Sequence, residues 1–104
     1  ILNTLVIREM NQTTESLAAL RKQIDEIDMS LTELLAKRMR VAGEIGQYKK
    51  EHGMAILQAT RYDEILSKRI AEGEIMGMSG EFMKTILEAI HTESVRKQME
   101  IMNK

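Results

Sequence analysis

The sequence predicts an all-α protein of three helices, one of them very long. Three observations carry that reading. There is no proline in 104 residues, and the composition is dominated by Ala, Leu, Lys, Glu, Met and Arg, all good helix formers. Apolar–polar alternation of period two is absent apart from "TLVIR" at 4–8. From Leu17 onward the apolar residues recur at alternating spacings of three and four, the pattern of a helix that packs along one stripe.

The first helix is expected to start after "NQTT", with Thr13 or Thr14 as N-cap and Glu15 in the first turn. Its stripe reads Leu17, Leu20, Ile24, Ile27, Leu31, Leu34, then Arg38, then Val41, Ile45 and Tyr48. Gly53 ends it, with Lys49 and Lys50 near the negative end of the dipole. About 37 residues at ~1.5 Å each make a helix of roughly 55 Å, too long for a compact chain of this size. Such a helix needs a partner to cover its stripe. The second helix is expected from about Thr60 to Glu72, breaking at "EGEIMGMSG". Ser79 is a good N-cap for the third, which runs to about Met102. Its stripe is Met83, Ile86, Leu87, Ile90, then Ser94, Gln98 and Ile101. Residues 1–12 read as a linker or arm and 13–104 as the domain.

Composition narrows the function. A hydrophobic content of 43% is that of a folding chain, and with three aromatics (Tyr48, Tyr62, Phe82) the core falls to aliphatic residues and nine Met. A net charge of -1 argues against general nucleic-acid binding. No apolar run approaches the ~20 residues of a membrane span. "ILNTLVI" is too short and lacks the basic leader of a signal peptide. The absence of Cys excludes a disulfide framework, a thiol nucleophile and a zinc–thiolate site. His52 and His91 are too few and too scattered for a metal cluster, and His91 reads as surface or core filler. A reducing cytoplasm is the expected compartment. The missing initiator Met suits a processed product or a piece of a longer chain.

The informative residues are the polar ones on apolar faces. Arg38 and Lys49 are eleven residues apart, three turns plus about 20°, so both point the same way, ~16 Å apart along the axis. Two long side chains leaning together could hold a small anion, because buried cations are costly unless paired. The ordinary alternative is that Arg38 snorkels to solvent or pairs with a Glu of another helix. Arg21 lies ~25 Å from Arg38 along a straight helix, out of reach of the same site in one chain. In an antiparallel pairing of first helices it could reach the partner's site. Ser94 and Gln98, one turn apart, need hydrogen-bond partners, which a small interhelical network would also provide. Arg61 opens helix two beside Gln58 and alone is an ordinary helix residue. The set is rich in cations and donors and holds no nucleophile and no acid–base pair. It suits binding of a dianion, or a reaction that needs placement and charge stabilisation alone.

Taken in order, "LRKQIDEIDMSLTELLAKRM", "EIGQYKKEHG", "LQATRYDEIL" and "AIHTESVRKQ" resemble the all-helical class of chorismate mutases, over roughly residues 15–100. The resemblance implies three-helix chains paired in an intertwined homodimer with two sites and no cofactor. It implies that Arg38, with Arg21 donated by the partner chain, binds the two carboxylates of chorismate. Lys49 and Gln98 would donate to the ether oxygen, and Arg61 and Ser94 would line the pocket and hold substrate. Two positions depart from the family. After Arg61 the family often has a Glu that contacts the ring hydroxyl, and here stands Tyr62. Three residues before Arg61 many members have Asp, and here stands Gln58. The hydroxyl must then be recognised otherwise, with the Gln58 backbone or side chain the candidate, and both Gln58 and Tyr62 are expected to bind substrate. The wording of the loop and of helix two, with "ILNTLVIREM", is most similar to mutase domains fused to a DAHP synthase. Two alternatives stay open at this point: an isochorismate–pyruvate lyase of the same fold, and a helical dimerisation or regulatory module without activity.

Overall fold

In the computed structural model the backbone is described for residues 2–104 and the side chains for residues 16–104 other than Ala59. Three helices follow in order: α1 (Leu2–Glu51), α2 (Ala59–Ile75) and α3 (Gly80–Met102). Among the described residues there is no strand, as the sequence predicts. The chain divides into two units, Ile1–Ala36 and Lys37–Lys104.

α1 corrects the expected start. It begins at Leu2 and runs through Thr13 and Thr14, which are therefore interior residues and not caps. The reason is energetic. No Gly or Pro occurs before Gly43. Threonine in a helix costs at most about 0.7 kcal/mol relative to alanine, whereas a fresh start must meet the nucleation cost again. The expected arm at 1–12 is thus helical from Leu2. In the first unit the predicted stripe of Leu17, Leu20, Ile24, Ile27, Leu31 and Leu34 is exposed, at 46–64%.

The second unit holds the end of α1 with α2 and α3. Gly53 stops α1 as predicted. Its φ of +62° lets the chain turn left-handed. The Met54 N–H then donates to the Lys49 carbonyl at 2.8 Å, and the Gly53 N–H to that of Lys50 at 3.5 Å. This is the paired closure of a Schellman end. α2 ends the same way at Gly77, φ +92°, with Met78 N–H on the Gly73 carbonyl at 2.9 Å and Gly77 N–H on that of Glu74 at 3.0 Å. The helix therefore runs to Ile75, past the expected break at Glu72. Gly73 does not break it. It is buried where Met83 of α3 crosses, and a Cβ there would overlap the Met83 side chain. Ser79 caps α3 as expected, its Oγ accepting from the Phe82 N–H at 3.1 Å.

The close approach of α1 and α3 positions the site. Gly46 is buried, and a Cβ on it would stand 2.9 Å from Gln98 Cα and 3.3 Å from Gln98 Cβ. Only hydrogen at that position lets the two backbones come together. Ala42, one turn earlier, is the one apolar side chain fully buried among the described residues, at 4% exposure.

Gly46→Ala tests this contact. Alanine is the better helix former by up to about 1 kcal/mol. The clash is with backbone, which no rotamer change relieves, and overpacking typically costs about 1–3 kcal/mol. The expected net result is a lower urea midpoint than wild type with an unchanged m-value. An unchanged or raised midpoint would refute the close contact.

Candidate functional site

The second unit contains a pocket of about 480 Å³ between α1, α2 and α3. α1 contributes Arg38, Val41, Ala42, Ile45 and Lys49 to its wall. The loop and the start of α2 contribute Ile56, Gln58, Arg61, Tyr62, Ile65 and Leu66. α3 contributes Leu87, Ile90, His91, Ser94, Val95 and Gln98. Seven of the eight residues singled out in the sequence thus meet in one cavity: Arg38, Lys49, Gln58, Arg61, Tyr62, Ser94 and Gln98. Arg21 belongs to the unit Ile1–Ala36 and is exposed there.

Helical phase explains the convergence. Arg38 and Lys49 are three turns apart on α1, with Val41, Ala42 and Ile45 making an apolar floor between them. Ser94 and Gln98 are one turn apart on α3, and both are buried, at 7% and 8% exposure. The two helices pair these residues rung by rung. Arg38 Nη1 donates to Ser94 Oγ at 2.6 Å. Lys49 Nζ donates to Gln98 Oε1 at 2.8 Å and to the Ile56 carbonyl at 2.7 Å. The Ser94 hydroxyl in turn directs its own proton toward Met39 Sδ at 3.9 Å, a weak acceptor.

Two consequences follow for donors. An ammonium has three N–H groups, and two of those on Lys49 are taken by protein acceptors. The third is left for a ligand. Gln98 must present its oxygen to an ammonium that can only donate, so its NH₂ group points the other way and is a neutral donor. The polar rungs are also satisfied: among the described residues no buried side-chain nitrogen or oxygen lacks a partner.

The electrostatics are one-sided. Among the described residues three cations line the cavity and no Asp or Glu does. The salt bridges among the described residues are Arg69–Glu72, Lys84–Glu88 and the pairs of Arg96 with Glu93 and Glu100. All lie along single helices on the surface, where such pairs contribute about 0–1 kcal/mol. None involves Arg38, Lys49 or Arg61. The alternative in which Arg38 pairs with a Glu of another helix is not what the structure has. Burial of its ammonium holds Lys49 below the ordinary value of 10.5. Among the described residues no group of three or more His, Asp or Glu could hold a metal ion, and no helix is long and apolar enough to cross a membrane.

Two features escaped sequence reasoning. His91 is not surface or core filler: it forms part of the pocket wall, its ring stacked on that of Tyr62 with centroids 3.8 Å apart and 27° between planes. It stands four residues after Leu87 and three before Ser94, spacings that put all three on one face of α3, so the helical period is the signal that could have found it. The Ile56 carbonyl is a backbone acceptor and has no signal in side-chain identity.

A cationic, donor-rich cleft among three helices has the chemistry to hold an anion, and its residues come in the order of a known family. The type II chorismate mutase family model matches residues 20–99. The chain belongs to the chorismate mutase type II family. It is similar to the T-protein of Enterobacter agglomerans, 36% identical over 78 residues, which are 75% of this chain and 21% of that protein. It is similar to the bifunctional chorismate mutase/prephenate dehydratase of Buchnera aphidicola, 32% identical over 89 residues, 86% of this chain and 23% of that one. It also resembles the 4-amino-4-deoxychorismate mutase of Streptomyces pristinaespiralis, 28% identical over 87 residues, 84% of this chain and 67% of that one. The chain spans about a fifth of the length of the first two of these relatives.

The Lys49 shift has a sign that can be measured. Its pKa is lower in the folded chain than in the unfolded one, so the unfolded chain holds the proton more tightly. Below the folded pKa the charged Lys49 therefore costs stability, and that cost falls away as pH rises from the folded pKa toward 10.5. An NMR titration of the Lys49 side chain is expected to give a midpoint below 10.5. A midpoint at or above that value would contradict the burial of its ammonium.

Proposed function

We propose that this chain is a chorismate mutase that rearranges chorismate to prephenate, and that it does so as a homodimer. The observation that carries the reading is the single cavity lined by Arg38, Lys49, Arg61, Ser94 and Gln98 without a carboxylate. Chorismate is a dianion with an ether oxygen between two reacting carbons. Its rearrangement breaks the C–O bond and forms a C–C bond in one cyclic shift of electron pairs. No nucleophile or proton transfer is required, so a site that offers cations and hydrogen-bond donors without a carboxylate suffices. Two things remain for the protein to supply: a compact substrate conformer, and donors where negative charge grows.

Arg38 takes one substrate carboxylate, with the Ser94 hydroxyl beside it. The free Lys49 N–H and the Gln98 NH₂ converge on the ether oxygen as charge develops there. Arg61 on α2 lines the same pocket and helps hold the ligand. The apolar floor of Val41, Ala42 and Ile45 favours the folded-up conformer over the extended one, which fills less of the cavity. Gln58 and Tyr62 meet the ring hydroxyl.

The second carboxylate goes to Arg21 of the partner chain. Support for pairing comes from the exposed α1 stripe. Burying the remainder of six Leu and Ile side chains is worth on the order of 5–10 kcal/mol, comparable with the whole stability of a small domain. In this reading the chain works in the cytoplasm, in the synthesis of aromatic amino acids. The fusion to a DAHP synthase rests on the resemblance of the sequence alone, since the relative of Buchnera aphidicola is named for a prephenate dehydratase. The length of the native polypeptide tests it.

Purified protein given chorismate should yield prephenate, and given isochorismate should yield no pyruvate. Arg38→Ala should lower kcat/KM by about 10²–10³, the scale of one lost charge-stabilising donor. Pyruvate release from isochorismate, or full activity in the variant, would overturn the assignment.

The pH profile of kcat/KM reports the free enzyme. Lys49 must be charged to donate, so activity should fall with rising pH on a limb lying below 10.5. Gln98 does not titrate, so no steep rise is expected below pH ~5. A profile that climbs steeply into acid would contradict the neutral donor.

Mixing tests the shared site. Inactive Arg21→Ala and Arg38→Ala chains, unfolded together and refolded, should regain about a quarter of wild-type activity. Half the dimers are then mixed, and each has one intact site of two. No recovery would place Arg21 in its own chain's site or outside the site altogether.

A further inference from the structure

We propose that the Tyr62–His91 stack makes the site select a substrate whose ring carries a neutral hydroxyl, against the same skeleton carrying an ammonium, with His91 the positioning residue that holds Tyr62 in the wall. The inference rests on the chorismate mutase reading above.

The geometry begins with two rings from different helices. Tyr62 on α2 and His91 on α3 both line the cavity and stack at 3.8 Å with 27° between planes. Both are half-buried. A tyrosine at the edge of a helix would otherwise sample several rotamers. The imidazole face narrows that freedom and fixes where the phenol oxygen lies. Arg38, Ser94, Lys49 and Gln98 are occupied with the carboxylate and the ether oxygen along α1 and α3. The remaining polar feature of the ring, its hydroxyl, is left to the α2 side, where Tyr62 stands.

A hydroxyl both donates and accepts, and so does a phenol. The match is complete without any charge. An ammonium only donates, and it brings a positive charge into a cavity lined by three cations and no carboxylate. Wherever in the cavity the substituent sits, it meets no anionic side chain among the described lining residues. The substitution also lowers the ligand's net charge from -2 to -1, which weakens its attraction to every cation present. Rejection therefore comes from an unpaired charge in a desolvated site, the kind of penalty that discriminates more strongly than a missing contact.

The test compares chorismate with its 4-amino-4-deoxy analogue, reading kcat/KM for each on the same enzyme preparation. Losses from misfolding cancel in the ratio. Wild type should prefer chorismate by about tenfold or more, the effect of one mispaired charge. Tyr62→Glu should shift the ratio at least about tenfold toward the amine, by giving the ammonium a counter-charge. His91→Ala should reduce the wild-type preference severalfold, and His91→Phe, which keeps a stacking ring, should restore it. A wild-type ratio near one, or a ratio unmoved by Tyr62→Glu, would overturn the selectivity of the wall. A ratio unmoved by His91→Ala would overturn the role of His91. Folded protein that turns over neither compound would refute the mutase reading itself, and this inference with it.

Discussion

The knot on which the site depends is the Lys49 ammonium. It donates at once to the Ile56 carbonyl in the loop and to Gln98 Oε1 on α3. One side chain thereby fastens the end of α1 to the loop that leads into α2 and to the wall provided by α3. Gly46, one turn earlier, makes this possible, because its missing Cβ lets Gln98 come within reach. The Gly53 turn completes the arrangement by sending the chain back past Lys49. Backbone conformation, helix contact and ammonium geometry are three statements of one constraint.

That constraint is not stabilising in a simple sense. Burial of an ammonium disfavours its charged form, and Lys49 is shifted below its ordinary value for that reason. Arg38 faces a neutral hydroxyl instead of a carboxylate. A chain selected for stability alone would place a Glu among these cations, as it does for Arg69 and Arg96 on the surface. The described lining residues leave these cations without a carboxylate, and on the proposed reading the substrate dianion supplies the missing charge. This is the usual relation between a preorganised site and the stability of the fold that carries it.

Much of this was legible in advance, for reasons tied to period. The 3.6-residue repeat puts Arg38 and Lys49 on one line, and Ser94 and Gln98 on another. A polar residue interrupting an apolar line needs a partner, so the two lines could be expected to meet. Ser79 and Gly53 were legible from local cap chemistry. What failed was what depends on neighbours. Thr13 and Thr14 look like caps by type, yet nothing before them stops the helix. Gly73 looks like a breaker, yet it is spared to let Met83 pass. His91 shares the face of Leu87 and Ser94 by period, but its stacking on Tyr62 depends on a neighbouring helix and was not legible. A carbonyl such as that of Ile56 is invisible to any reading of side chains.

The bond from Arg38 to Ser94 has a further bearing on the cycle of turnover. The serine hydroxyl holds the guanidinium at the cavity wall, at 2.6 Å and without a charge of its own. Charge-assisted bonds to a carboxylate are roughly twice as strong as neutral ones, so on the proposed reading a substrate carboxylate outcompetes it for Arg38. On the proposed reading, the same hydroxyl is the acceptor to which the guanidinium returns when the product leaves.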